Sequence, residues 1–95
     1  MSQELKRDLA ISLSRLHAHD VIHGDPRIDN VMMLNGTMKW IDFRVFDFVT
    51  MKMSRRRDVE ILVDSVDGVV SYARAEIDAY VKDPTPDKLF RVLSK

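Results

Sequence analysis

The stretch "HGDPRIDN", residues 23–30, decides how the rest of the chain is read. It is a polar break between a leucine-spaced run and an apolar run, and a second acidic phrase, "IDFR", residues 41–44, follows shortly after. Between the two lies "VMMLNGTMKW". Its Asn35-Gly36 pair is a strong signal for a tight β-hairpin turn. Residues 31–34 and 38–41 are therefore expected to pair. Such a hairpin sets Asn30, just before the first strand, beside Asp42, just after the second, with Asp25 one loop away.

Outward from the hairpin the hydrophobic period changes. Leu5, Leu9, Leu13 and Leu16 share one face at helical spacing, which predicts an amphipathic helix over 3–19 with Ser2 as its cap. Residues 21–23 form a short β-prone run broken by Gly24 and Pro26. Residues 45–53 carry no clear period. Val59, Leu62, Val63 and Val66 predict a helix over 55–67, with Gly68 as an interruption. Residues 71–83 read as further helix, with Ile77, Tyr80 and Val81 apolar. Thr85 followed by Pro86 predicts a short last helix over 87–93. The expected class is α+β, mainly α: a helix, a small hairpin carrying the polar loops, then three helices.

Composition bounds the function classes. A 95-residue chain with 45% hydrophobic and 32% charged residues is globular in type, not disordered. Its formal net charge of zero gives no bias towards nucleic acid or a membrane surface. With no cysteine, disulfides, thiolate zinc sites and cysteine nucleophiles are excluded. The charged N-terminus is not a secretory signal, and no apolar run approaches a membrane span. A cytoplasmic protein is the expectation.

Two carboxylates and an amide in these positions suit metal-assisted phosphoryl transfer. That chemistry is mostly positioning and charge neutralisation. One carboxylate faces the attacking hydroxyl, a second holds Mg²⁺ through hard oxygen, and an amide oxygen completes the metal shell.

In order and spacing, "HGDPRIDN" resembles the catalytic loop of the protein-kinase-like superfamily, His-x-Asp with Asn following. Gly24 in place of Arg is more similar to the aminoglycoside and choline kinase branch and to divergent kinase-like domains. "IDFR" resembles the metal-binding Asp-Phe-Gly phrase, with Arg44 for Gly. Residues 13–25 resemble the family's helix running into the loop, and "RRRDVEILVDSV" its following long helix. The resemblance covers residues 5–70, and 71–95 are read as C-terminal helices of a single, partial kinase-like domain, 1–95. It implies Asp25 as the base or hydroxyl-positioning group, Arg27 as a phosphate contact, and Asn30 and Asp42 as ligands of Mg²⁺ bound with ATP. It implies His23, Phe43 and Asp58 as structural support, His23 packing near Phe43 and Asp58 bracing the loop from below. The implied activity is ATP- and Mg²⁺-dependent transfer of phosphate to an unknown hydroxyl acceptor. The chain has three glycines and no Gly-rich phosphate loop. The family's N-terminal lobe is therefore expected to be missing, the 95 residues alone inactive, and the surface where that lobe docks open to a protein partner or to self-association. The alternative is a non-catalytic pseudokinase relic or protein-interaction module.

Plainer readings stand beside these. Asp25, Asn30 and Asp42 are also ordinary turn residues. His17, His19 and His23 lack zinc-site spacing, and a histidine at a helix C-terminus complements the dipole. Arg55 to Arg57 fall at the predicted helix start, where a solvated face is the usual explanation. Trp40 and Phe43 are expected in the core, with strand alternation putting Trp40 and Asp42 on one face. Met32, Met33, Met51 and Met53 are expected to fill core gaps.

Overall fold

In the computed structural model, which describes residues 1–43, 51–66 and 68–94, the first element is helix α1, Gln3–Ala18. The Ser2 hydroxyl caps it by accepting the Leu5 N–H at 3.1 Å. Its leucine face turns inward: Leu9 and Leu13 are fully buried, Leu5 and Leu16 partly. The helix ends in a Schellman motif. The Val21 N–H donates to Leu16 O and the Asp20 N–H to His17 O, with Asp20 in the left-handed region at φ 58°. This reversal aims residues 21–25 back across the core. Residues 21–23 do not form a strand.

The hairpin consists of β1, Val31–Leu34, and β2, Thr37–Trp40, antiparallel with Val31 opposite Trp40 and Leu34 opposite Thr37. Asn35 (φ 53°) and Gly36 (φ 77°) supply the two positive φ values of a type I′ turn, whose twist matches the strands. β2 ends at Trp40, one residue earlier than expected. Val31, Met38 and Trp40 pack on the helical core, and the Trp40 Nε1–H donates to the Ser12 hydroxyl at 3.0 Å. Met32, Met33 and Leu34 stay exposed, as does Met53 further along. The expectation that these methionines fill the core is therefore wrong. A two-stranded ribbon with one face on the helices leaves its other face, that of Met32 and Leu34, in water. The side chain of Met51 lies outside the described residues.

Helix α2, Met51–Ser65, begins four residues before the expected 55. The arginine run thus falls inside the helix, not at its start. The solvated-face expectation fails for Arg55, which is buried with its Nη1–H donating to Val81 O at 2.7 Å, whereas Arg56 is half-buried in a pair with Asp78 and Arg57 is exposed. A 3₁₀ turn, Val70–Ala73, leads into α3, Arg74–Lys82, so the expected continuous helix over 71–83 is broken at its first turn. Gly68 seals the end of α2. Its N–H donates to Val63 O at 2.8 Å, so close that a Cβ here would lie 2.6 Å from Val63 Cγ1. Helix α4, Pro86–Leu93, starts as expected, with the Thr85 hydroxyl accepting the Lys88 N–H.

All four helices feed one core: Leu9, Ala10 and Leu13 from α1, Val59, Leu62 and Val63 from α2, Ile77, Tyr80 and Val81 from α3, and Leu89, Val92 and Leu93 from α4. Each fully buried aliphatic side chain contributes about 1.5–3 kcal/mol relative to its exposed state. Arg7 links α1 to α4, pairing with Asp87 at 2.8 Å while its guanidinium lies 3.9 Å from the Phe90 ring centre. Among the described residues the fold is α+β and mainly α, a two-stranded sheet on a four-helix base. No described helix is long and apolar enough to cross a membrane.

Candidate functional site

The loop after α1 is shaped by one buried carboxylate. Asp58, on α2, is fully buried. Its Oδ2 accepts the His23 N–H at 2.8 Å and its Oδ1 the Gly24 N–H at 2.9 Å. Two successive backbone donors are thereby aimed at one acceptor, which holds the chain in a bend. Gly24 sits at φ 97°, in the region that favours glycine, which gives its place in the phrase a backbone reason.

His23 joins this loop to the segment after the hairpin. Its Nδ1 accepts the Asp25 N–H at 3.0 Å, so Nε2 carries the proton and donates to Ile41 O at 2.7 Å. The ring lies edge-on to Trp40 at 5.1 Å and tilted against Phe43 at 4.5 Å. Trp40 is half-buried against the core, whereas Phe43 is half-exposed and packs on His23 outside it. The expectation that both aromatics are core residues holds for Trp40 alone.

Asn30 is buried at the end of a 3₁₀ turn, Ile28–Asn30. The Ile28 N–H at the head of that turn donates to the Ser65 hydroxyl. Asn30 Nδ2 donates to Asp25 O at 2.8 Å and reaches Asp25 Oδ2 at 3.3 Å. A backbone carbonyl can only accept, so the amide nitrogen is fixed inward and Oδ1 is turned to the other side. Asn30 O in turn accepts the Ile41 N–H at 2.9 Å, which ties the start of the hairpin to its end. Asp42 follows at φ 55°. This left-handed residue breaks the strand alternation that would have set it on the face of Trp40.

Asp25, Arg27, Asn30, Asp42 and Phe43 line one open cleft of about 290 Å³. Arg27 grips Asp25 side-on, Nε to Oδ1 at 3.0 Å and Nη2 to Oδ2 at 3.2 Å, with the arginine side chain half-exposed. This charge-assisted fork orients the carboxylate. The donor set suits a hard divalent cation: one carboxylate from Asp42 and one amide oxygen from Asn30, its nitrogen engaged elsewhere. Among the described residues, no three His, Cys, Asp or Glu side chains gather as a metal site, which removes the histidine–zinc reading. Arg44 lies outside the described residues.

Sequence reasoning missed the layer beneath. His17 is not a surface residue completing a helix dipole. It is buried, with Nε2 2.8 Å from Asp58 Oδ2 and Nδ1 2.6 Å from the Tyr80 hydroxyl. Its partners lie 41 and 63 residues away, so no local spacing reveals them. Tyr80 was legible only as one apolar position of a helix face.

Part of the chain is similar to a protein kinase. Over 40 residues, 41% of the chain, it is 52% identical to serine/threonine-protein kinase GRIK2 of Arabidopsis thaliana, and the match spans 10% of that protein's length. No family model and no solved structure matches the chain.

Proposed function

We propose that these residues form the catalytic-loop and metal-loop segment of a kinase-like phosphotransferase acting with Mg²⁺ and ATP on a hydroxyl acceptor. One observation carries this reading: Asp25 and Asn30 from one polar break and Asp42 from a second, beyond the hairpin, line a single cleft. The partial similarity to a plant protein kinase supports it. Asp25 takes the proton of the attacking hydroxyl as that oxygen bonds to the terminal phosphorus, and ADP departs as the old P–O bond breaks. Asn30 Oδ1 and the Asp42 carboxylate hold Mg²⁺. When bound, Mg²⁺–ATP supplies the phosphoryl group and neutralises its charge. Arg27, with its half-exposed side chain, turns from Asp25 towards the phosphate. His23, Phe43 and Asp58 keep the two loops in register.

Nothing in the chain offers a Gly-rich loop over the phosphates, so the phosphate clamp comes from residues beyond these 95. The exposed strand residues Met32, Met33 and Leu34 are the surface for that partner or for a second copy. Turnover by the 95 residues alone is not expected. The test is calorimetric titration of the purified chain with Mg²⁺–ATP, in parallel with Asp42→Ala. Binding by the parent that the variant loses supports the metal site. No binding by a folded parent overturns it in favour of the second reading, a non-catalytic module working through protein contacts. The fork of Arg27 over Asp25 favours that second reading, because it occupies the carboxylate a base would need.

A further inference from the structure

We infer that Tyr80 is a positioning residue for the loop that carries Asp25, acting at a distance through His17 and Asp58. The inference rests on the proposed kinase-like reading only for the chemistry of that loop.

The chain of contacts has a fixed direction. Asp58 Oδ2 and Oδ1 accept the His23 and Gly24 N–H groups. A carboxylate can only accept, so His17 Nε2, 2.8 Å from Oδ2, is the donor. His17, Asp58 and Tyr80 are all buried to within 1% of full burial, so bulk water does not compete for these roles. With the ring proton on Nε2, Nδ1 presents a lone pair. The Tyr80 O–H, 2.6 Å away, is the donor that fills it. Burial pushes the Tyr80 hydroxyl well above its ordinary range, which keeps that proton in place.

Without the hydroxyl, Nδ1 is a buried acceptor with no donor, and only the Asp58 contact still holds the proton on Nε2, so the preference for one tautomer weakens. The opposite tautomer turns a lone pair at Nε2 towards the Asp58 carboxylate, which repels it. Asp58 then loses one of three donors and its grip on the two loop amides weakens. Tyr80, on α3, thus reinforces the state of His17, on α1, that lets Asp58, on α2, hold the loop.

The experiment uses the ¹⁵N-labelled 95-residue chain without nucleotide. Long-range ¹H–¹⁵N spectra read the His17 ring nitrogens, and hydrogen exchange reads the His23 and Gly24 amides. The parent is expected to show a neutral ring with the proton on Nε2. In Tyr80→Phe, the Nδ1 resonance shifts as its hydrogen bond is lost, the single-tautomer pattern weakens, and both amides exchange roughly threefold to tenfold faster, the worth of about one hydrogen bond. Ile77→Val, a buried truncation on the same helix, leaves the ring pattern unchanged. A doubly protonated ring, or a proton on Nδ1, in the parent overturns the inference, and that result needs no variant to fold. A folded Tyr80→Phe with unchanged ring shifts and amide exchange also overturns it, as does an equal response to Ile77→Val. All of these are read without nucleotide, so failure of the parent to bind Mg²⁺–ATP bears on the proposed function alone.

Discussion

Asp58 concentrates more structure on one side chain than any residue of the cleft itself. Its two oxygens take two backbone donors and one imidazole donor in full burial. Replacement by alanine leaves all three donors unpaired in the interior. Asp58→Ala is expected to cost about 3–5 kcal/mol, a large share of the roughly 5–15 kcal/mol that holds a domain folded. Urea denaturation followed by circular dichroism measures it, with the exposed Asp64→Ala on the same helix as a near-neutral control. The cleft residues were legible in sequence because they sit in short phrases whose spacing is local, and Asp58 through the resemblance that implied its bracing role. His17 and Tyr80 were not, because their roles come from partners brought together only by the packing of α1, α2 and α3.

At the level of elements, two glycines illustrate two different reasons for the same residue. Gly36 occupies the hairpin turn at φ 77° with nothing within 4 Å of the place a Cβ would take. Gly36→Ala therefore carries a backbone cost alone, about 1 kcal/mol. At Gly68 the obstacle is the Val63 side chain at 2.6 Å and the Val63 carbonyl at 3.0 Å. Gly68→Ala is expected to cost about 1–3 kcal/mol through displaced packing, and Val63→Ala in the same chain should recover part of it. Thermal unfolding of the two single variants and the double variant separates the cases. The first glycine announces itself through Asn35-Gly36, whereas the second is readable only as an interruption. The arginine run misled in the opposite way: three adjacent cations look like a solvated surface, yet Arg55 lies one turn before buried Val59 and so faces inward, to the C-terminal turn of α3.

For the molecule as a whole, the buried hydroxyl makes stability depend on alkaline pH. The ordinary tyrosine value is 10.0 and burial raises that of Tyr80, against a lowering influence from Arg55. Between the ordinary and the raised value the unfolded chain has released this proton and the folded chain has kept it. The contribution is therefore whole below the ordinary value and is lost as pH rises towards the raised one. The stability difference between the parent and Tyr80→Phe is expected to hold up to about pH 9 and then narrow, approaching about 1.4 kcal/mol per pH unit above pH 10. Urea midpoints of both chains at matched pH measure it. The class of the fold followed from hydrophobic period and turn chemistry, which act over a few residues. How the helices share one carboxylate did not, since it depends on their mutual docking.

The buried link between His17 and Tyr80 has a consequence for synthesis. A ribosome releases residues 23–25 before Asp58 and Tyr80, and the hairpin can pair as soon as Trp40 is clear. The acceptor for the His23 and Gly24 amides arrives only with Asp58, and the hydroxyl that fills His17 only with Tyr80. Until then those amides have water as their partner. A product that stalls before Tyr80 carries every residue of the cleft and lacks the support that shapes them, so the portion of the chain made first is the portion finished last.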